Sequence, residues 1–366
     1  MNPVRFVMLG GFLGAGKTTA LLWLARHHLA EGRRVALIAN DQADNLVDTA
    51  LFRTVAAASE VAGGCFCCRL NDLLRVAEQL SAQERPEVIF AEPVGSCTDL
   101  VATVVQPLKR LYQERYSIAP YVVLLDPQRA KRILSGERFG GFSPKVAYIF
   151  HKQLEEADAI AINKLDTLTD KERDELRQLI TRQYPDKPLL FIAARTGEGM
   201  EELVRFQEQE GRFGVHIAEV DYDTYAEGEA ELGWLNAIAD LHASQPWVPG
   251  DLLTAILHRI HESLTIQAAE IAHLKGLLHT SSGSSVAHLV QIQGRVELSR
   301  SCATPTQQGQ LVFNARVACD PEALWNTVHN AMEAIASDYG LSVNWRTVQR
   351  FRPARPVPVQ RYAEAI

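Results

Sequence analysis

The stretch VRFVMLGGFLGAGKTTALL, residues 4–22, decides the fold. Val4–Gly10 is a short apolar run ending in glycines, the pattern of a strand buried on both faces. Residues 11–18, GFLGAGKT, fit G-x-x-x-x-G-K-[ST], and a helical pattern follows from Lys17 to about Ala30. Strand, glycine loop and helix in this order form a cradle for phosphate. Gly11, Gly14 and Gly16 let the backbone turn tightly and aim N–H groups at phosphate oxygens, with Ala15 and Thr19 in the same contact set. Lys17 supplies a cation for the β- and γ-phosphates, and Thr18 a hydroxyl for Mg²⁺. The helix N-terminus adds its dipole.

Outward from this loop, apolar runs alternate with helical patterns. RVALIAN (34–40), EVIFAEP (87–93), YVVLLD (121–126), AIAINK (159–164) and PLLFIAA (188–194) read as further buried strands. Near-continuous apolar strands separated by helices imply a doubly wound, mostly parallel α/β sheet covered on both faces. This domain spans 1–214. The remainder, 215–366, reads as a smaller α+β domain in the order strand (215–225), helix (251–279), strand (286–293), strand (310–318), helix (321–339), strand (342–351), which is ferredoxin-like. Its tail, RPARPVPVQRYAEAI, is proline-rich and expected to be irregular.

Composition sets the bounds. The chain has 366 residues, long enough for two domains. It is 47% hydrophobic and 22% charged, which excludes a disordered chain. Thirty-seven Lys and Arg against 44 Asp and Glu give a net charge of −7, without the broad basic field that nucleic acid requires. No secretion signal or membrane span is read, so a cytoplasmic protein is expected. Of six cysteines, Cys65, Cys67 and Cys68 are clustered, a spacing that suits metal or redox chemistry better than a disulfide framework.

Three motifs carry the chemistry. Residues 163–166, NKLD, follow the strand AIAI directly. In P-loop GTPases such an N-K-x-D reads guanine: Asp166 accepts from the ring N–H and the exocyclic amine, Asn163 braces the loop, and the Lys164 stem covers the base. AARTG (193–197) stands where a second base-contacting loop is expected. In VIFAEPVG (88–95), Glu92 ends a buried strand, where an acid can hold Mg²⁺ through water and help position an attacking water. Gly95 offers an N–H to the γ-phosphate, and Asp41, after the second strand, is a further acid near the phosphates. In GGCFCC (63–68), Cys65, Cys67 and Cys68 form a C-x-C-C array suited to Zn²⁺, Co²⁺, Ni²⁺ or Cu(I). Cys68 joins the other two only if the backbone turns. The alternatives are thiols packed as small hydrophobes, or redox chemistry. Cys97 is either a packing residue or a fourth thiolate. His258, His261 and Glu262 read as a solvated helix face rather than as ligands.

GFLGAGKTTALL, EVAGGCFCC, the E-x-x-G at Glu92–Gly95 and INKLD together resemble the CobW-like P-loop GTPases, metallochaperone-type proteins related to the urease and hydrogenase nickel-insertion GTPases. The resemblance covers about the first 210 residues. It implies a Mg²⁺-dependent GTPase that binds a transition metal at the C-x-C-C motif and couples nucleotide state to metal transfer. It further implies a recipient metalloprotein or cofactor-assembly protein and a nucleotide-dependent homodimer. Two strings depart from the family pattern: EPVGSC lacks Thr or Ser before its glycine, and NDQADN replaces an N-E-F-G-like string. A nucleotide-dependent assembly protein with structural thiols is the second reading. A P-loop kinase is the third, disfavoured because it needs no guanine reader.

Overall fold

The computed structural model describes residues 3–42, 47–137 and 141–366; part of the NDQADN string lies outside them. The chain divides into two units. The first comprises Met1–Gln42, Asp48–Gly228 and Arg355–Ile366; the second is built on Glu229–Ala354. The first unit therefore runs past residue 214 and takes back the proline-rich tail.

In the first unit, β1 (Val4–Gly11), β2 (Val35–Asn40), β3 (Ala57–Val61), β4 (Val88–Glu92), β5 (Tyr116–Ile118), β6 (Val122–Leu125), β7 (Ala159–Ile162) and β8 (Leu189–Phe191) form one sheet. Its order is β3-β2-β4-β1-β6-β7-β8, with β5 also on β1. Every pairing is parallel. All residues of β2, β4, β6 and β7 are buried, which explains their uninterrupted apolar sequence. The chain moves from β1 to one side and then, after β4, to the other. A ligand crevice opens at such a reversal, outside the carboxyl ends of the strands.

The second unit is an antiparallel sheet of β9 (Gly233–Trp247), β10 (Ile271–Thr280), β11 (Gly283–Leu289), β12 (Glu297–Arg300), β13 (Thr306–Val317) and β14 (Leu341–Phe351). The strand order is β12-β11-β10-β13-β9-β14. Within it, β14-β9-β13-β10 has the ferredoxin-like order, and the β11–β12 hairpin widens the sheet. Leu252, Leu253, Ile256, Leu257, Ile260 and Leu264 of the helix Pro249–Ile266 share a core with Leu324, Val328, Met332 and Ile335 of the helix Pro321–Tyr339.

Strands β3, β5 and β12 have no counterpart in the sequence reading, and two expected elements take another form. Residues 215–221 are irregular and lead into a helix, Tyr222–Ala230; the first strand of this unit is Gly233–Trp247. The long helix stops at Ile266, and Ile271–Thr280 is a strand. The stop is a Schellman turn: the Ala268 N–H donates to the Thr265 carbonyl and the Ala269 N–H to the Leu264 carbonyl. Ala268 takes the left-handed position (φ 53°) that glycine usually marks, so the sequence carried no stop signal.

Candidate nucleotide and metal site

The glycine loop sits at the carboxyl end of β1. Its neighbour β4, in register with Met8 opposite Ala91, brings Glu92 alongside. Gly16 enters the helix Lys17–Ala30 in a left-handed conformation (φ 94°), and a Cβ there would lie 2.3 Å from Asn163 Nδ2. Glycine here leaves room for the Asn163 side chain against the loop, and the N–H groups and dipole of the first helical turn favour an anion. Lys17 is buried and its Nζ donates to the Gly11 carbonyl at 2.9 Å, which lays the ammonium along the loop. Thr19 follows on the exposed side of the first turn.

Thr18 Oγ1 lies 2.7 Å from Asp48 Oδ1 and 3.1 Å from Glu92 Oε1. One hydroxyl and two carboxylates are hard oxygen donors, the set that Mg²⁺ takes beside phosphate. Asp48 was not legible in the sequence. Asp41 accepts the Gln42 N–H at 2.6 Å. Gly95 lies against the glycine loop: a Cβ on it would come within 2.9 Å of the Leu13 nitrogen. The guanidinium of Arg129, also unforeseen, is buried, donates to the Leu13 carbonyl and stacks over Phe12 and Phe142.

Asn163 joins two loops. Its Nδ2 donates to the Ala15 carbonyl at 2.8 Å, and its Oδ1 accepts the Ala194 N–H at 3.0 Å. The AARTG segment therefore lies beside NKLD. Lys164 pairs with Asp126 at 2.7 Å. Burial alone would raise the Asp126 carboxyl, but Lys164 and Arg129 hold it below the ordinary value. The Asp166 carboxylate meets Arg195 at 2.6 Å.

The thiols converge. Cys65 Sγ lies 2.8 Å from Cys67 Sγ and 3.3 Å from Cys68 Sγ, and the last two are 3.6 Å apart. The required turn is present: the Cys65 carbonyl accepts from the N–H groups of Cys68 and Arg69. Asn40, at the end of β2, pins the loop with three bonds. Its Nδ2 donates to the Val61 and Gly64 carbonyls, both at 2.8 Å, and its Oδ1 accepts the Phe66 N–H at 2.9 Å. Because Ala39 is in register with Glu92, the anchor of the thiol loop adjoins the strand that carries the acid. Hydrogen bonds from Cys67, Cys68 and Cys97 hold the Cys65 thiol well below its usual value. Cys67 is pushed up, and Cys68 to about 11, chiefly through the same bonds to Cys65. Cys97 is buried beside the cluster.

His261 is bound to the Ile292 carbonyl, and it and His258 belong to no group of three candidate ligands among the described residues. His28, Glu31 and Glu208 do cluster, but Arg33 lies 3.1 Å from His28 and 2.8 Å from Glu208, which makes the group an ion-pair network.

A parallel sheet with this loop at the carboxyl end of its central strand defines a P-loop nucleotide-binding protein. More closely, the chain belongs to the CobW/HypB/UreG nucleotide-binding domain family, whose model matches residues 5–191. It is 28% identical over 200 residues to the zinc chaperone YeiR of Escherichia coli (strain K12), covering 51% of this chain and 54% of that protein. The zinc chaperone YjiA of the same organism is 29% identical over 182 residues, covering 47% of this chain and 53% of that protein. The urease accessory protein UreG of Metallosphaera sedula is 24% identical, over 55% of this chain and 91% of that protein. The matched segment thus spans about half the length of the two zinc chaperones. No helix among the described residues is long and apolar enough to cross a membrane.

Proposed function

We propose that this chain is a GTP-hydrolysing carrier of a transition metal ion. The observation that carries the reading is the convergence of Cys65, Cys67 and Cys68 on a loop held by Asn40, one strand from Glu92 and two from the glycine loop. Thiolates suit Zn²⁺, with Co²⁺ and Ni²⁺ as further cargo. Two of the relatives are named zinc chaperones, which favours zinc. Three thiolates leave a fourth position through which the ion can pass to a recipient metalloprotein or cofactor-assembly protein.

At the phosphate site the backbone of residues 14–19 and the Lys17 ammonium hold the β- and γ-phosphates. Thr18, Asp48 and Glu92 would hold Mg²⁺, which when bound neutralises charge on the transferring phosphoryl group. Glu92 orients the attacking water, and Gly95, against Leu13, registers the γ-phosphate. Asp166 reads guanine while Asn163 keeps its loop on the phosphate cradle. A nucleotide-dependent homodimer and a cytoplasmic, thiol-preserving setting belong to the same proposal.

Steady-state phosphate release tests it. The wild-type protein with GTP and Mg²⁺ is expected to turn over slowly, as switch GTPases do without a partner. Lys17→Ala is expected to abolish turnover and weaken GTP binding. Undiminished hydrolysis by that variant would remove the phosphate-loop assignment.

A further inference from the structure

The segment Arg355–Ile366 belongs to the first unit, and its course bears on the thiols. Residues 356–359 read PVPV. Prolines at 356 and 358 leave N–H donors only at Val357 and Val359, and both are spent on the thiol loop. The Val357 N–H donates to Cys68 Sγ at 3.2 Å, and the Val359 N–H to the Cys67 carbonyl at 3.0 Å. Further along, the Tyr362 N–H donates to the Ala102 carbonyl at 3.1 Å, and the Arg110 guanidinium stacks 4.6 Å over the Tyr362 ring.

Charged anchors bracket the run. Arg355 Nε lies 2.8 Å from Asp223 Oδ1. Arg361 grips Asp99 through two bonds, of 2.7 and 3.3 Å, and donates to the Ala218 carbonyl at 3.1 Å. Asp99 is buried and also accepts from the Tyr222 hydroxyl at 2.5 Å. The attachment is not hydrophobic at its centre: Val357 is 68% exposed and Val359 43%. A run of this composition is already extended as a free chain, so it loses little entropy on docking and can lift as a unit. An N–H donated to a ligand sulfur stabilises the thiolate form that a metal requires.

We propose that residues 355–362 are a strap over the thiol site, with the Val357 N–H as a donor to the Cys68 sulfur, and that a metal ion enters and leaves when the strap lifts. The metal half of this statement rests on the metal-carrier reading above; the cover on Cys68 does not. The strap is a part of the site that the thiol motif alone does not contain, and it places a removable element between the cargo and any recipient.

Two variants test it by different routes. Val357→Pro replaces the N–H by a ring methylene that cannot donate and crowds the Cys68 sulfur, in a run already extended by its neighbours; Arg361→Ala removes the anchor on Asp99. In metal-free, reduced protein, alkylation of each cysteine by iodoacetamide is followed by peptide mass spectrometry. Cys319, in the second unit, serves as internal control, and the melting curve confirms folding. Cys68 is expected to react about tenfold faster in both variants, because losing one docking hydrogen bond raises the strap-open population about tenfold and uncovers the sulfur, which outweighs the thiolate fraction lost with the Val357 N–H; Cys319 stays unchanged. Zinc-loaded protein is then mixed with a chromophoric chelator, and release is expected to quicken by a similar factor. An unchanged Cys68 rate in both folded variants overturns the strap. A faster Cys68 rate with no zinc uptake by the wild type overturns the metal half alone.

Discussion

Asp166 illustrates how far a single side chain can be taken. Its carboxylate is held by Arg195 at 2.6 Å, on a loop that Asn163 ties to Ala15. Replacing it by Asn turns one acceptor oxygen into a donor facing the donors of guanine. Asp166→Asn is therefore expected to lower GTP affinity by about 10–100-fold, on the order of 1.5–3 kcal/mol, and to erase preference over ATP. Equilibrium binding of fluorescent GTP and ATP analogues checks this; a retained preference would mean that the reader lies elsewhere. Asn40 makes the matching case at the thiols. Asn40→Ala deletes three buried hydrogen bonds and is expected to cost on the order of 1–3 kcal/mol in stability and to weaken zinc binding. Chemical denaturation and zinc titration read the two effects, and zinc affinity equal to wild type would show that the loop is held without it. Lys17, Thr18, Glu92, Asn163 and the three cysteines were legible because their spacing is local. Asp48, Asn40 and Arg129 were not, because the contacts that give them meaning span tens of residues or more.

Among elements, the helix Pro144–Glu156 matters most to the site although no motif marks it. Gln153 Nε2 donates to the carbonyls of Gly95 and Cys97, at 3.0 and 2.8 Å. Glu156 accepts from the Val101 N–H and the Thr98 hydroxyl. This helix thus fixes the loop that runs from Glu92 past Cys97. The Glu156 carboxyl is wholly buried, and burial pushes it up to about 8 from an ordinary 4.5. A folded value above the unfolded one gives stability that is fully present below about pH 4.5 and lost as pH rises through about 8. Glu156→Gln cannot ionise and keeps an acceptor oxygen. It is expected to gain stability relative to wild type between pH 5 and pH 8.5, by on the order of a few kcal/mol. Urea midpoints at the two pH values measure this; parallel pH slopes would show that Glu156 does not titrate there. Six strands of the first unit were legible from their apolar runs; β3 and β5, short and only partly buried, were not. β10 was not, because Ile271, Leu274 and Leu278 keep the phase of the preceding helix and the turn at Ala268 lacks a glycine.

At the scale of the whole molecule, the central claim is that nucleotide state and metal affinity are one equilibrium. The first unit gives the means: β2 and β4 lie side by side, one ending at the anchor of the thiol loop and the other at the acid beside Thr18. Ligands that favour the same arrangement of these strand ends strengthen each other's binding by an equal factor. The division of the chain was partly legible, since the ferredoxin-like order of the second unit could be read. The return of Arg355–Ile366 to the first unit could not, because a proline-rich run carries no periodicity to say where it docks. The most direct measurement is anaerobic zinc titration of the full chain in the nucleotide-free, GDP-bound and GTP-analogue-bound states with Mg²⁺. The account predicts tighter zinc binding in the GTP-analogue state by about 1–3 kcal/mol, with a reciprocal gain in analogue affinity, and loss of that coupling when Cys65, Cys67 and Cys68 are all replaced by serine. Zinc affinity identical in all three states would contradict it and leave the thiols a structural or storage role.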